Sequence, residues 1–186
     1  MTRILAVLAA LMLALPLWAQ APMGDDGLHK ADWMRDTFKD LREDLDQANS
    51  EGKRLMVIIE QRGCIYCAKM HKEVFPDPEI DQLLNDDFFV VQINMFGDIE
   101  VTDFDGETLS EKNMVRKWGA LFTPTILFFP PQVPQDMSAS KAKVAEIPGA
   151  FGKYTTRNML LWVLDEGYAG DEPFQKFHAR NLPANN

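Results

Sequence analysis

The sequence predicts a single α/β domain with a central mixed β-sheet flanked by helices, and three observations support this fold class. Residues 55–60 and 88–93 are nearly continuous apolar runs, which are typical of strands buried on both faces of a sheet. One helical apolar pattern precedes the first run and another separates the two runs, so the order is α-β-α-β. This order predicts a parallel pair of strands joined by a right-handed crossover. A Thr-Pro pair at 123–124 then opens a further strand over residues 126–129.

Helical periodicity accounts for much of the remaining chain. Apolar residues at three- and four-residue steps predict an N-terminal helix that begins near residue 28 and ends at Gly52. Pro78 is typical of a helix start, and Gly119 is typical of a helix end. The other predicted helical segments are residues 64–76, 78–84, 110–119 and 153–168, with a short docked turn over residues 171–177.

Two smaller β elements complete the predicted fold. Residues 98–108 alternate apolar and polar side chains around the dipeptide Asp105-Gly106, which indicates a small hairpin insertion. The acidic side chains of this segment do not form an EF-hand loop, because Val101 and Lys112 would occupy its first and twelfth positions. Residues 143–147 are predicted to return as an antiparallel edge strand.

The beginning of the chain is typical of a secretory signal peptide. Arg3 is followed by an apolar run over residues 4–18, and Ala-Gln-Ala at 19–21 has the form of a cleavage site. The apolar run is shorter than the roughly 20 residues that span a bilayer. We therefore expect residues 1–21 to direct export to the periplasm. Pro22 fits signal peptidase poorly, so cleavage at a neighbouring bond and an uncleaved membrane anchor stay open.

Composition limits the domain count and the class of partner. Without the signal peptide about 165 residues remain, enough for one domain with a hydrophobic core. We assign residues 22–27 to a linker, 28–180 to the domain and 181–186 to a flexible tail. Loss of Arg3 changes the net charge from −9 to about −10. Nucleic-acid binding needs clustered Lys and Arg, so this acidic chain without a basic stripe is not expected to bind nucleic acid.

The two cysteines of the chain, Cys64 and Cys67, stand where the first strand turns at Gly63 into a helix. Three residues are close to one helical turn, so both thiols lie on one face at the helix start. The partial positive charge of a helix N-terminus favours the thiolate of the first cysteine, which is the reactive form. A disulfide across so short a loop adds little stability. In an exported chain, the pair therefore indicates a redox-active dithiol rather than a structural crosslink.

This strand–CxxC–helix unit and the later Thr-Pro pair resemble the thioredoxin superfamily over residues 28–168. Within that superfamily the chain is similar to exported thioredoxins of the SoxW type, which are associated with bacterial sulfur oxidation. The segments that carry this likeness are Glu-Gln-Arg-Gly-Cys-Ile-Tyr-Cys-Ala-Lys-Met-His at 60–71, Phe-Asp-Gly at 104–106, Phe-Thr-Pro-Thr at 122–125, and residues 162–177.

The resemblance implies a thioredoxin fold and a periplasmic thiol-disulfide oxidoreductase with no cofactor beyond its own disulfide. It implies that the protein takes electrons from a membrane thiol carrier and reduces a disulfide-bearing client of a sulfur-oxidation system. Cys64 would attack the client, and Cys67 would resolve the mixed disulfide. A cis Thr123–Pro124 bond would turn the Thr123 backbone outward, to bind the client chain as an added strand.

Several residues near the cysteines differ from those of ordinary thioredoxin. Ile65 and Tyr66 replace the usual Gly-Pro, and Ile58 stands where the resemblance implies a buried carboxylate. Tyr66 either shapes the client groove or only packs beside the site. Glu60 is interpreted either as a proton relay for Cys67 or as a solvated carboxylate at a strand end. These differences leave the reduction potential and direction open; we expect a reductant, and a DsbA-like disulfide-forming oxidant is the alternative.

His71 supports a different functional hypothesis. Four residues after Cys67, it shares the face of the cysteines, and Cys64, Cys67 and His71 together would offer three soft ligands to copper or zinc. That ligand set would make the chain a copper-binding or copper-delivering module. The other interpretation of His71 is a histidine on the helix surface. A client-binding domain with incidental thiols is a further possibility.

Overall fold

The computed structural model describes residues 21–183, which form a five-stranded mixed sheet flanked by helices and a small separate hairpin. The sheet order is β1-β3-β2-β6-β7. Strands β1, β3 and β2 are parallel, whereas β6 and β7 each run antiparallel to their neighbour. The strands are β1 (Met34–Arg35), β2 (Arg54–Glu60), β3 (Phe88–Asn94), β4 (Glu100–Thr102), β5 (Thr108–Ser110), β6 (Thr125–Phe128) and β7 (Ala145–Pro148).

The helices cover both faces of this sheet. They are α1 (Leu41–Ser50), α2 (Ile65–Lys69), α3 (Pro78–Asp86), α4 (Glu111–Trp118), α5 (Ala139–Ala142), α6 (Lys153–Leu164) and α7 (Phe174–Arg180). Helix α2 continues without a break into a π-helical segment, Met70–Val74, and we call the two together the cysteine helix. Among the helices of residues 21–183, none combines the length and the apolar character that a membrane span requires.

The predicted α/β fold class is confirmed, including the parallel pair β2–β3, the β4–β5 hairpin and the antiparallel edge strand β7. The predicted signal peptide falls almost wholly outside the described residues, as do the last three residues of the predicted tail. Helix α5, in the proline-rich loop, was not predicted. Helix α6 ends at Leu164 rather than near residue 168, and the predicted turn over residues 171–177 is largely the start of helix α7.

The predicted N-terminal helix is wrong over residues 28–40. Helix α1 begins only after Asp40, whose side chain accepts hydrogen bonds from the backbone N–H groups of Arg42 (2.9 Å) and Glu43 (3.2 Å). Upstream of this cap, β1 pairs with β3 as the edge strand of the sheet. Pairing of Met34 and Arg35 with β3, and isolated bridges at His29 and Asp40, hold this segment extended, so tertiary contacts override its helical periodicity.

Alternate residues of β2 enter two hydrophobic clusters, one on each face of the sheet. Val57 and Ile59 belong to the cluster that α1 and α4 cover. Met56 and Ile58 belong to the cluster that the cysteine helix, α3 and α6 cover. Because side chains alternate along a strand, Glu60 continues the second series and faces the cysteine helix. The strand thus delivers one carboxylate to the apolar side of the redox motif.

The acidic side chains around the hairpin are neutralised by a lysine of α4. The Nζ atom of Lys117 lies 2.9 Å from Asp103, 2.7 Å from Asp105 and 2.9 Å from Glu107. Burial lowers the pKa of Lys117, but the contacts with these carboxylates outweigh burial and raise the pKa above its ordinary value. Asp103 is fully buried and also accepts a hydrogen bond from Trp118 Nε1 at 3.1 Å. An ammonium group therefore occupies the centre of this acidic segment.

Removing this ammonium group is expected to destabilise the hairpin. In Lys117→Met the buried Asp103 carboxylate loses its cation, and we expect the free energy of unfolding to fall by about 2 kcal/mol. Lys112→Met is the matched control on the same helix, because the Lys112–Asp98 pair is exposed and surface pairs contribute little. Urea unfolding monitored by circular dichroism compares the two variants. Equal losses would contradict a special role for Lys117.

Asp44 of α1 is a buried carboxyl group with one neutral side-chain partner. The hydroxyl of Thr37 donates a hydrogen bond to its Oδ2 at 3.3 Å. Burial raises the pKa of Asp44 to about 7, and the nearby carboxylates of Asp40 and Glu43 add to this rise. The folded state therefore keeps this proton to about pH 7, whereas the unfolded chain loses it near the ordinary value of 3.8.

The stability of the wild-type protein should fall as the pH rises between these two values, because the folded state binds the extra proton. Asp44→Asn removes that loss, so we expect its free energy of unfolding at pH 8 to exceed that of wild type by about 1–4 kcal/mol. At pH 4 the two proteins should be similar. Asp46→Asn, on an exposed position of the same helix, is the control. Urea unfolding at both pH values measures the difference, and parallel pH dependence in all three proteins would contradict it.

Candidate functional site

The two cysteines lie at the start of the cysteine helix and are joined by a disulfide bond. Gly63 has φ of 71°, a left-handed conformation that favours glycine, and it turns the chain from β2 into the helix. Cys64 occupies the N-cap position, and its Sγ accepts a hydrogen bond from the backbone N–H of Cys67 at 3.0 Å. The exposed fraction is 7% for Cys64 and 1% for Cys67. The cysteine nearer to solvent is therefore also the one at the helix start.

This geometry suits thiol-disulfide exchange. When the disulfide is reduced, the same N–H group and the positive end of the helix stabilise a thiolate at Cys64. Cys67 lies one turn deeper, where it is shielded from solvent but keeps its sulfur beside that of Cys64. The two sulfurs thus differ in depth, with Cys64 nearer to solvent and Cys67 enclosed.

The Thr123–Pro124 peptide bond is cis and lies beside the cysteines. The carbonyl oxygen of Thr123 is 3.5 Å from Cys64 Sγ. The loop is held from two sides: Gly149 N–H donates to the Pro124 carbonyl at 2.7 Å, and the hydroxyl of Thr125 donates to the Phe122 carbonyl at 2.8 Å. Two segments far apart in the sequence therefore meet at the disulfide.

Exposed apolar side chains stand on both of these segments, and we call them the apolar rim. Ile65 and Tyr66 lie between the cysteines, and Leu121 and Phe122 precede the cis bond. Their exposed fractions lie between 58% and 78%. Single exposed apolar residues are ordinary on protein surfaces, but a group of them beside a reactive disulfide provides area for contact with another chain.

Glu60 and His71 are paired in the interior, so the interpretations as a solvated carboxylate and a surface histidine are both wrong. The Oε1 atom of Glu60 lies 3.0 Å from His71 Nε2, and each side chain is 1% exposed. Gln92 Nε2 donates to Glu60 Oε2 at 2.7 Å and to the His29 carbonyl at 2.8 Å. A buried carboxylate requires such partners, because burial without hydrogen bonds disfavours its charged form. The proton-relay role of Glu60 stays a prediction.

His29 completes a cluster whose side chains are of the kind that bind metals. Its ring stacks on that of His71, with centroids 4.4 Å apart and planes inclined by 13°. The ligand atoms of His29, Glu60 and His71 lie within 4.8 Å of one another. A metal binds imidazole nitrogen along the plane of the ring, and one ion cannot lie in two stacked planes. Imidazole and carboxylate are donor types that bind zinc or copper, but the stacked arrangement of the two rings does not allow both imidazoles to bind one ion.

The proposed copper or zinc set of Cys64, Cys67 and His71 does not form in this structure. Both cysteines are in the disulfide, and His71 turns its Nε2 toward Glu60. Within residues 21–183, the cluster of convergent metal-ligating side chains contains neither cysteine. The buried carboxyl group of β2 lies against the histidine instead.

Two neighbours of the Glu60–His71 pair, Gln92 and His29, were not anticipated as its partners from the sequence. Gln92 lies within the apolar run that forms β3, and a polar residue inside such a run is a signal that could have revealed it. His29 gave no comparable signal, because residues 28–40 were assigned to a helix. Lys30 extends the network, since its Nζ donates to Gln92 Oε1 at 2.7 Å.

Known proteins resemble the chain across this region. Over 89 residues it is 29% identical to the thiol:disulfide interchange protein DsbD of Colwellia psychrerythraea. That match covers 48% of the chain but only 13% of the relative, so the chain corresponds to a small part of this curated protein.

Solved structures resemble the fold. A thioredoxin from Thermus thermophilus has a TM-score of 0.54 and 22% identity, over 72% of this chain and 90% of that one. A thioredoxin-fold protein from Helicobacter pylori has a TM-score of 0.50 and 17% identity, over 70% and 80% of the two chains. Residues 41–135, half of the chain, match the thioredoxin-like domain family and include both cysteines. The chain therefore belongs to the thioredoxin-like domain family.

Proposed function

We propose that this protein is a thiol-disulfide oxidoreductase that exchanges its Cys64–Cys67 disulfide with client proteins. The observation that carries the proposal is the position of the disulfide: Cys64 caps the helix, and the Thr123 carbonyl lies 3.5 Å from its sulfur. Family membership and the local likeness to DsbD, a thiol:disulfide interchange protein by name, support the same class of reaction.

The exchange proceeds in two steps. In the reduced protein, the Cys64 thiolate attacks one sulfur of a client disulfide, forms a mixed disulfide and releases the other client sulfur as a thiolate. Cys67 then loses its proton, attacks Cys64 Sγ and expels the client. The client gains two electrons and the Cys64–Cys67 disulfide forms; the two client thiolates then take up two protons from solvent, which received the protons of the Cys64 and Cys67 thiols. A second dithiol must restore the reduced state by the same exchange in reverse.

Client binding would use the surface around the disulfide. An extended client segment would pair with the Thr123 backbone as an added strand, while the apolar rim covers side chains that flank the client cysteine. Tyr66, exposed between the cysteines, belongs to this contact surface rather than to the core. The acidic overall charge is unsuited to nucleic acid, so the expected clients are proteins.

The compartment and direction of exchange belong to the same proposal. The signal-peptide pattern of residues 1–21 supports export to the periplasm, and the SoxW-like segments support a reductant for a client of sulfur oxidation. A membrane thiol carrier would supply the electrons. A reduction potential near −120 mV, the value of a strong oxidant, would contradict the reductant direction.

Trapping and turnover assays test the exchange reaction. Cys67→Ser should leave Cys64 joined to its client, and mass spectrometry of the mixed disulfide from a periplasmic extract would identify that client. In insulin reduction with dithiothreitol, Cys64→Ser should fall to the uncatalysed background, because the attacking thiolate is missing. Wild-type protein that does not exceed this background, or Cys64→Ser with undiminished turnover, would exclude the proposed function.

The apolar rim is expected to contribute to client capture and not to the chemistry. Leu121→Ser combined with Phe122→Ser should lower kcat/KM for insulin roughly tenfold, because apolar area no longer leaves water on binding. The rate with dithiobis(nitrobenzoate), a small disulfide, should stay within about twofold of wild type. Phe38→Ser is the control, since Phe38 is 94% exposed in the loop before α1. An equal loss with Phe38→Ser would contradict a specific role for the rim.

A further inference from the structure

The loop between β3 and β4, residues 95–99, begins beside the turn that carries the cysteines. Glu60 at the end of β2 is opposite Asn94 at the end of β3, and its carbonyl accepts a hydrogen bond from Met95 N–H at 2.7 Å. The two strands are parallel, so the CxxC turn and the β3–β4 loop leave the sheet at the same edge. Because β2 lies between β3 and β6, the CxxC turn has this loop on one side and the Thr123–Pro124 loop on the other.

Two large apolar side chains of the β3–β4 loop are exposed. The exposed fraction is 67% for Phe96 and 62% for Ile99, so neither side chain contributes to the core. Single exposed apolar residues are ordinary, but these two stand three residues apart in a short loop beside a reactive disulfide. Apolar side chains at this edge of the sheet therefore extend past the apolar rim, on the opposite side of the CxxC turn from Leu121 and Phe122.

Hydrogen bonds to α4 fix the backbone of this loop. The carbonyl groups of Gly97 and Ile99 accept hydrogen bonds from the backbone N–H groups of Lys112 at 3.0 Å and Glu111 at 2.8 Å. Gly97 approaches α4 so closely that a Cβ atom on it would lie 1.8 Å from Glu111 Oε2. The loop thus presents Phe96 and Ile99 from a fixed backbone, and a partner that binds there does not have to order it.

The Glu111 side chain anchors the start of the loop from the interior. It is buried, its Oε1 atom accepts a hydrogen bond from Asn94 N–H at 2.9 Å, and it forms an ion pair with Lys39. Lys39 has φ of 59°, a left-handed conformation that is unfavourable for a residue with a side chain. A buried ion pair and a strained backbone are both costly by themselves. Both are retained at the contact that holds the end of β3 and the β3–β4 loop.

The charged residues on either side of Ile99 are acidic. Asp98 forms an exposed ion pair with Lys112. Glu100, the first residue of β4, is exposed and forms no ion pair with another residue of the described range 21–183. The apolar surface of the loop is therefore bordered by a carboxylate without a cationic partner. A complementary protein surface would combine apolar side chains with a lysine or an arginine.

We propose that the β3–β4 loop selects client proteins that carry apolar side chains together with a lysine or an arginine near their reactive disulfide. This inference rests on the proposed exchange function, because the position of the loop beside the CxxC turn makes a disulfide-bearing client its occupant. Phe96 and Ile99 cover the apolar side chains of the client, and Glu100 pairs with its cation. The loop acts on client binding and leaves the exchange steps at Cys64 and Cys67 unchanged.

Peptide disulfides of matched design test this selection. Each probe is the symmetrical disulfide of a short peptide with one cysteine. A Gly-Ser spacer flanks the cysteine on both sides, followed by Leu-Lys-Leu, Leu-Glu-Leu or Ser-Gly-Ser. Reduced protein in excess reacts with each probe, and chromatography of acid-quenched samples gives the second-order rate constant. Dithiobis(nitrobenzoate) is the small disulfide that does not reach the loop.

The charge of Glu100 is expected to set a preference between the two leucine-containing peptides. At low ionic strength the wild-type protein should react about fivefold faster with the lysine peptide than with the glutamate peptide. The preference should disappear at about 1 M salt, where the Debye length is about 3 Å. Glu100→Lys should abolish it at low salt. Asp46→Lys makes the same change of charge at an exposed position of α1 and should retain it.

The apolar side chains are expected to act on both leucine-containing peptides. Phe96→Ser combined with Ile99→Ser should slow the reaction with each of them about fivefold, because less apolar area leaves water on binding. The rates with the Ser-Gly-Ser peptide and with dithiobis(nitrobenzoate) should stay within about twofold of wild type. Phe38→Ser, which removes another exposed phenylalanine, should leave all four rates unchanged.

Three outcomes would overturn the inference. The first is a preference for lysine over glutamate that Glu100→Lys and Asp46→Lys alter equally, or no preference in the wild-type protein. The second is a loss in the Phe96 and Ile99 double variant that is as large with the Ser-Gly-Ser peptide as with the leucine peptides. The third is a dimer in sedimentation velocity that this double variant abolishes, since it would assign the loop to a second copy of the chain. Wild-type protein that reacts with none of the four disulfides is a separate result, which excludes the exchange function itself.

Discussion

The parallel pairing of β2 with β3 is the constraint on which the rest of the structure depends. The two strands align from Arg54–Phe88 to Glu60–Asn94, and nearly every residue between is buried. A parallel pair requires a crossover, and the cysteine helix with α3 provides it. Both strands end at one edge of the sheet, so the CxxC turn begins there. Strand β6 runs in the opposite direction, with Thr125 opposite Ile59, which brings the Thr123–Pro124 loop to the same edge.

The same constraint explains why the cysteine helix packs against polar side chains of the sheet. Side chains alternate along β2 and β3, and the last fully buried side chains on the face of the cysteine helix are Glu60 and Gln92. A single polar residue there would be costly, but Glu60, Gln92 and His71 satisfy one another. The resemblance to ordinary thioredoxin implied a buried carboxylate at position 58 of this chain. Position 58 is instead Ile58, which belongs to the apolar cluster, and the carboxyl group of Glu60 lies two residues later. The carboxyl group beneath the cysteine helix is thus displaced two residues along the strand rather than absent.

Much of the fold and part of the site could be predicted because they depend on local patterns. Apolar runs identified β2 and β3, the Asp105-Gly106 turn identified the hairpin, and the CxxC spacing placed both thiols on one helix face. The prediction of an N-terminal helix from residue 28 was wrong, because periodicity cannot detect that residues 34–35 pair with β3. The prediction that His71 lies on the helix surface or beside the cysteines as a metal ligand was wrong for a similar reason. Its neighbours Glu60 and His29 are 11 and 42 positions away, and spacing carries no record of such contacts.

By itself, the sequence determined that this chain has an α/β thioredoxin-like fold and a dithiol at a strand-to-helix turn. The α/β order follows from side-chain periodicity and the reactive dithiol from the electrostatics of a helix start, which act over a few residues, whereas the thioredoxin likeness came from the resemblance of the CxxC and Thr-Pro motifs. Only the tertiary structure decided that Glu60 is buried, that His71 faces it, and that Thr123 lies against Cys64. These contacts join segments that are distant in the sequence. Burial and hydrogen bonding in a packed interior depend on which surfaces the fold brings together, and local sequence patterns do not contain that information.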